Sequence, residues 1–157
     1  MSAIELYARP SGDFDAKLVE TKALLQTAAG DYAAESLVGP ALITQASSLG
    51  AEDMVVSHLI NLLALDIPIF VLETGMLHAE TLQLLEQFKA RSRTQVNMFT
   101  PRNEAVVQFV AIEGKDAMYK SITLRKACCG IRKMEPLERA LAGKKAWITG
   151  LRREQSG

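Results

Sequence analysis

Cys128 and Cys129 are the only cysteines among the 157 residues, and they are neighbours. Thiolates bind soft metals and act as nucleophiles, and nearby cations favour the thiolate form. Arg125, Lys126, Arg132 and Lys133 all lie within four residues of the pair. A disulfide between the two is disfavoured. Across a trans peptide the Cα atoms are about 3.8 Å apart, whereas disulfides favour about 5.5–6 Å. A reducing cytosol would also keep them as thiols. On a helix, neighbouring side chains diverge by about 100°, which suits a bulky cluster better than one small ion. Two unrelated buried cysteines remain the plain alternative.

Three further stretches hold turn glycines beside polar side chains. Ser47, Ser48, Gly50, Glu52 and Asp53 form a strand-to-helix turn whose amides and helix dipole can bind an anion. Ser47 and Ser48 serve equally well as simple caps of the following helix. The turn is neither a Walker A loop nor a Rossmann glycine fingerprint. The second stretch, Leu72-Glu73-Thr74-Gly75-Met76-Leu77-His78, ends another apolar run, with His78 reading as a helix-start residue more readily than as a catalyst. The third runs from Trp147 to Ser156. There Gly150 ends a strand, and Arg152 and Arg153 offer forked donors to phosphate or sulfate oxygens. The plain alternative for the arginines is a solvated basic tail.

These stretches need a scaffold, and the hydrophobic pattern supplies one. A first helix, capped by Asp13 or Asp15, carries Phe14, Leu18, Ala23, Leu24 and Leu25 on its apolar positions and ends near Ala29-Gly30. Short apolar runs at 41–43, 68–72, 95–99 and 145–149 read as strands. Between them, 52–65, 77–90 and 102–112 read as helices. Residues 119–133 read as helical or mixed. Glu135-Pro136 starts a short helix to about Leu141, stopped by Gly143. Strand and helix alternating at this spacing predict an α/β fold, a doubly wound, mostly parallel sheet covered on both faces. Ligands in such sheets sit at the carboxyl ends of the strands, near the switch in strand order. That rule selects the three loops already singled out.

Composition fits one soluble domain, with 48% hydrophobic and 23% charged residues. The longest apolar run, Ile67 to Leu72, is far short of the roughly 20 residues of a membrane span. The first residues do not read as a secretory signal, so a cytoplasmic address is expected. Formal net charge is zero, but residues 1–120 carry nine Lys and Arg against fifteen acids, and residues 121–157 nine against three. The basic end is a footprint for an anion. Its bases are interleaved with apolar residues and lack an aromatic platform, which argues against nucleic acid.

Taken in order, the motifs resemble the sulfonucleotide reductases, which reduce adenylyl sulfate or its 3′-phosphorylated form to sulfite. Ser48-Leu49-Gly50-Ala51-Glu52-Asp53 resembles their modified PP-loop, and Leu72 to His78 resembles their Leu-Asp-Thr-Gly-x-x-His segment, with Glu73 in place of Asp. Lys126 to Leu137 is similar to the Lys-x-Cys-Cys-x-x-Arg-Lys-x-x-Pro-Leu segment of the iron–sulfur branch, with Gly130 where relatives often carry His. Trp147 to Ser156 is similar to Trp-x-Thr-Gly-x-Arg-Arg-x-Gln-Ser.

The resemblance implies a PP-loop fold of the adenine-nucleotide α-hydrolase type over a single domain, residues 1–157. It implies adenine contacts at Leu72, Thr74 and Gly75, an anhydride site at Ser47, Ser48, Gly50, Glu52 and Asp53, a substrate contact at Gly150, and charge neutralisation by Lys133, Arg152 and Arg153. It also implies Cys128 and Cys129 as two of the four ligands of a four-iron four-sulfur cluster, with thioredoxin as reductant. Self-association is left open. ATP-cleaving relatives end the loop in Asp-Ser, and a carboxylate there would oppose a triphosphate.

In the family, the second cysteine pair and the nucleophilic cysteine follow the Arg-Arg-x-Gln-Ser motif, and this sequence stops at Gly157. The expectation is a domain lacking that C-terminal portion, with no catalytic cysteine and with Lys133 in a supporting role. It would bind nucleotide weakly and not turn over. A nucleotide-binding remnant and an ATP-cleaving PP-loop enzyme are the rival readings.

Overall fold

The computed structural model describes residues 12–33 and 39–152. Four short strands, β1 (Ile43–Ser47), β2 (Ile69–Leu72), β3 (Val96–Phe99) and β4 (Ala146–Ile148), form a sheet of order β3-β2-β1-β4. Every pairing is parallel, with Gln45 opposite Ile69, Ile69 opposite Val96, and Ile43 opposite Ala146. Parallel strands need long crossovers, and helices supply them. Helix α1 (Phe14–Asp31) precedes β1, and the crossover helices are α2 (Ala51–Leu62), α3 (Ala79–Arg91), α4 (Asn103–Glu113), α5 (Ala117–Lys120), α6 (Ile122–Cys129) and α7 (Glu135–Leu141). A π-helical turn, Gly130–Met134, joins α6 to α7.

The expected elements are all present, most of them displaced by one to three residues. The largest shift is β1, expected at 41–43 and found at Ile43–Ser47, because Ala41 and Leu42 take part in the approach to the sheet: the Leu42 carbonyl receives the Lys145 amide at 2.8 Å. In α1 the buried stripe is narrower than the sequence reading. Leu25 is buried and Leu18, Ala28 and Ala29 pack beside it, whereas Phe14 and Leu24 face solvent at 48% and 67% exposure. Asp13 stands at the N-cap position without a capping bond from its side chain, and pairs with Lys17 at 2.7 Å.

One sheet face carries Ile43, Ile69 and Val71 and is sealed by Leu25, Leu59, Ile60 and Ile67 at one end and Leu49, Leu85 and Phe88 at the other. The opposite face is covered as well, with Thr44 and Phe70 buried on it. There α7 packs on β2 and β3, and Phe70 meets Phe99 edge to face at 6.0 Å. Beside them Trp147 of β4 stays 49% exposed. The chain builds β1, β2 and β3 outward and then returns to place β4 on the other side of β1. Loops leaving β1 and β4 therefore diverge from a common line, and a crevice opens at their carboxyl ends.

Candidate functional site

The turn after β1 is built to satisfy itself. Asp53 Oδ2 accepts from the Ser48 amide at 2.7 Å and the Ser48 hydroxyl at 2.6 Å. Ser48 Oγ accepts from the Gly50 amide at 3.3 Å, and Ser47 Oγ accepts from the Leu49 amide at 3.2 Å. The sequence reading expected free amides here for an anion. Instead the hydroxyls and Asp53 take up those of Ser48, Leu49 and Gly50. What remains are the first-turn amides of α2, which no carbonyl of the helix can reach. Neither serine caps α2, whose N-cap is Gly50. The residue with left-handed backbone in this turn is Leu49, at φ 63, while Gly50 is extended. A non-glycine residue there is strained by about 1–2 kcal/mol, which burial of the Leu49 side chain against Ile69, Val71, Leu85 and Phe88 offsets.

A buried polar relay ties this turn to the sheet. Gln45, fully buried in the middle of β1, donates through Nε2 to the Asp53 carbonyl at 2.9 Å. The Ser57 hydroxyl, also fully buried, lies 2.9 Å from both Gln45 Oε1 and the Asp53 carbonyl. Sequence reasoning missed both residues. The strand expected at 41–43 stopped short of Gln45, so no local pattern marked it as buried.

Asp53 also joins the first loop to the last. Its Oδ1 accepts from the Gly150 amide at 2.7 Å. A Cβ on Gly150 would stand 2.6 Å from Asp53 Oδ1, 2.7 Å from Asp53 N and 2.8 Å from the Glu52 carbonyl carbon. Glycine is thus the residue that lets β4's end reach the start of α2. Beside it Glu52 pairs with Arg152 at 3.1 Å.

After β2, Glu73 Oε1 accepts from the Gly75 amide at 2.7 Å, a short local bond that closes the turn. Gly75 has φ 72. The Thr74 carbonyl receives Arg132 Nη1 at 2.7 Å, a contact across 58 residues of sequence. His78 is the N-cap residue of α3, exposed and without a capping bond.

The three loop ends surround one cleft of about 850 Å³. Of the expected site residues, Ser47, Ser48, Glu52, Asp53, Leu72, Thr74, Lys133 and Gly150 line it. Ala46, Phe70, Leu137 and Trp147 form its apolar wall. Gly50, the N-cap of α2, does not line the cleft, and Gly75 lines a separate groove with Leu82 and Met98. Arg152 is exposed beside the cleft, and Arg153 lies outside the described residues. Lys133 is the only cation lining the cleft among the described residues, against the two carboxylates of Glu52 and Asp53. Both carboxylates are occupied, one by Arg152 and the other by loop amides. An aromatic and aliphatic wall with a few polar groups at one end suits a heterocycle carrying an anionic tail.

Below the cleft, Glu135 at the start of α7 binds Arg139 at 2.8 Å and Arg102 at 3.0 Å. The Arg139 hydrogen bond, followed by the charge of Arg139 and then Arg102, holds its carboxyl below the ordinary glutamate value despite some opposing desolvation. Arg139 also donates to the Thr100 carbonyl and lies 5.9 Å from the Phe99 ring centre. This network, unseen in the sequence, anchors α7 on β3 and so positions the π turn that carries Lys133.

Cys128 is half-buried and Cys129 exposed; both are free thiols, and neither lines the cleft. Among the described residues no group of three or more His, Cys, Asp or Glu could hold a metal ion.

An all-parallel sheet with its site at the switch between β1 and β4 defines an α/β domain of the PP-loop type. Comparison with known proteins gives the family. Residues 42–157 match the phosphoadenosine phosphosulfate reductase domain, and the chain belongs to that family. It is 51% identical over 111 residues to an adenosine 5′-phosphosulfate reductase of Burkholderia cepacia, covering 71% of this chain and 44% of that protein. It is 48% identical over 114 residues to the same-named protein of Allochromatium vinosum, covering 73% and 44%. The chain thus spans less than half the length of these curated relatives. A crystal structure of a phosphoadenylyl-sulfate reductase from Candida auris shares the fold, with a TM-score of 0.62 at 20% identity, covering 95% of this chain and 72% of that one. Among the described residues no helix is long and apolar enough to cross a membrane.

Proposed function

We propose that this chain forms the nucleotide-binding part of a cytoplasmic adenylyl sulfate reductase of sulfate assimilation. The adenine packs against the apolar wall near Leu72 and Thr74. The phosphosulfate lies towards the first turn of α2, with Lys133, Arg152 and Arg153 as its cations. What supports this reading most is that Lys133, from the π turn, shares one cleft with the loop ends of β1, β2 and β4. A charge-assisted bond from lysine to a phosphate or sulfate oxygen contributes about 1.5–3 kcal/mol, on the order of 10- to 150-fold in affinity.

In the reaction, a thiolate attacks the sulfur of the sulfate group, the sulfur–oxygen bond of the anhydride breaks, and AMP leaves. A thiol of thioredoxin then attacks the enzyme-bound sulfur adduct at the enzyme's own sulfur, releasing sulfite. This chain's part is to bind, orient and neutralise. The nucleophile must come from outside these 157 residues, since both cysteines present are assigned otherwise. Vicinal cysteines favour adenylyl sulfate over its 3′-phosphorylated form.

Cys128 and Cys129 fit as two ligands of a cluster completed by donors from elsewhere. Adjacent on the last turn of α6, they diverge too far for one small ion, and no third donor stands beside them among the described residues. Bound there, a four-iron four-sulfur cluster held by four thiolates would carry net negative charge, which the neighbouring Lys126 and Lys133 would balance. In a chain extended to the relatives' length, Cys128→Ala is expected to abolish the visible cluster absorbance; retained absorbance would overturn the assignment.

Calorimetry tests the reading. AMP and adenylyl sulfate are expected to bind, Lys133→Ala to weaken both at least tenfold, and ATP to bind poorly because Asp53 already occupies the loop amides. If ATP binds best and releases pyrophosphate, the ATP-cleaving alternative holds instead. Binding of AMP without sulfite formation, with thioredoxin supplied, shows that these 157 residues bind the nucleotide without reducing adenylyl sulfate.

A further inference from the structure

We propose that Arg132 is a positioning residue that couples nucleotide occupancy of the cleft to the exposure of the Cys128–Cys129 thiols. The inference rests on the proposed nucleotide site and deepens it.

Arg132 is half-buried, yet among the described residues it makes no ion pair. Its guanidinium is committed to a carbonyl, that of Thr74, at 2.7 Å. The seat is made by what Gly75 lacks: a Cβ there would stand 2.9 Å from Arg132 Nη1. Gly75 at φ 72 turns the Thr74 carbonyl outward, and Glu73 fixes that turn through the Gly75 amide. Three residues thus cooperate to present one backbone oxygen to one arginine.

The two ends of this clamp are the two halves of the proposed chemistry. Leu72 and Thr74 line the cleft, so a nucleotide resting on them touches the peptide that Arg132 holds. On the other side, the π turn bearing Arg132 begins at Gly130, directly after Cys129. The Gly130 amide is bonded to the Ala127 and Lys126 carbonyls, so the turn and the thiol-bearing end of α6 are one hydrogen-bonded unit. Next to Arg132, Lys133 reaches the same cleft. A ligand that steadies the β2 loop steadies the clamp, and through it the thiols. By reciprocity, disturbing the thiol segment weakens the ligand. Neither cysteine lines the cleft, so direct shielding by the nucleotide is not the route.

Alkylation of the reduced, cluster-free chain by iodoacetamide, resolved for Cys128 and Cys129 by mass spectrometry, tests this with and without saturating AMP. In the wild type, AMP is expected to slow alkylation about fivefold or more. Arg132→Gln is expected to raise the ligand-free rate, remove the AMP effect and weaken AMP binding. Arg132→Lys, which keeps one donor for the Thr74 carbonyl, is expected to restore part of both. Gly75→Ala, measured at a temperature where circular dichroism shows it folded, is expected to behave like Arg132→Gln. If AMP binds the wild type but leaves its alkylation rate unchanged, or if Arg132→Gln keeps the protection, the coupling is refuted. If calorimetry shows no AMP binding to the wild type, the nucleotide reading and the coupling fall together. The ligand-free rates then still judge the clamp, which an unchanged Arg132→Gln rate would refute.

Discussion

Gly150→Ala is the sharpest test of how the cleft is built. The new methyl would overlap Asp53 Oδ1 at 2.6 Å, Asp53 N at 2.7 Å and the Glu52 carbonyl carbon at 2.8 Å. Two of these atoms are backbone in the first turn of α2, so no side-chain rotation relieves the clash. Overpacking of this kind costs about 1–3 kcal/mol. The displacement also lengthens the 2.7 Å bond from the Gly150 amide to the Asp53 carboxylate, and losing a hydrogen bond to a charged group costs about 1.5–3 kcal/mol. One movement serves both, so the terms do not add fully, and about 2–4 kcal/mol is expected. For a chain of this size that lowers the melting temperature by about 5–15 °C. Urea unfolding of the wild type, Gly150→Ala, Asp53→Ala and the double variant measures the coupling. With Asp53 truncated, the carboxylate contact and the bond are already gone, and Gly150→Ala is expected to cost less, only the backbone overlap remaining. Gly50→Ala is the control, since its Cβ would meet chiefly the movable Ser48 Oγ at 3.2 Å. A Gly150→Ala cost under about 1 kcal/mol, or one unchanged in the Asp53→Ala background, would refute the packing argument.

Glu52→Gln removes one partner of Arg152 and one negative charge from the cleft wall. Exposed pairs of this kind are worth about 0.2–1 kcal/mol, so AMP affinity measured by calorimetry is expected to rise about 1.4- to 5-fold. The Arg139 and Arg102 guanidinium groups hold the Glu135 carboxyl below the ordinary glutamate value. Its contribution to stability is therefore full above that value and lost as pH falls through the lower folded pKa. The stability difference between wild type and Glu135→Gln, followed by urea unfolding, should be flat from neutral pH to about 5 and shrink in more acid solution. Gly130→Ala is expected to raise stability by about 0.5–1 kcal/mol. Gly130 has right-handed helical backbone and its added Cβ meets nothing within 4 Å. A loss of stability by thermal melting would show that the π turn needs glycine.

The helices and strands were legible because local pattern fixes them. Proline before Ile69, glycine after Leu49 and Leu141–Ala142, and β-branched runs between amphipathic stretches can be read without knowing any partner. The three loop ends were legible for the same reason, since a parallel sheet places its loops at one rim. The thiol pair among cations was visible from spacing alone.

Roles were not legible, because a role depends on what lies across the fold. Ser48 and Asp53 looked like an anion site with a repelling carboxylate, but once β4 brings Gly150 within 2.7 Å the carboxylate becomes the staple between two loops. Arg132 looked like one more cation near the cysteines; the tertiary structure sends it 58 residues back to a backbone carbonyl. Gln45 fell outside the strand expected at 41–43, and only packing shows it buried and bonded. Sequence by itself determined which backbone conformations are cheap and which side chains avoid water, both short-range properties. Tertiary structure decided which donors meet which acceptors, because a hydrogen bond acts over about 3 Å and residues a hundred positions apart come that close only when the sheet is assembled.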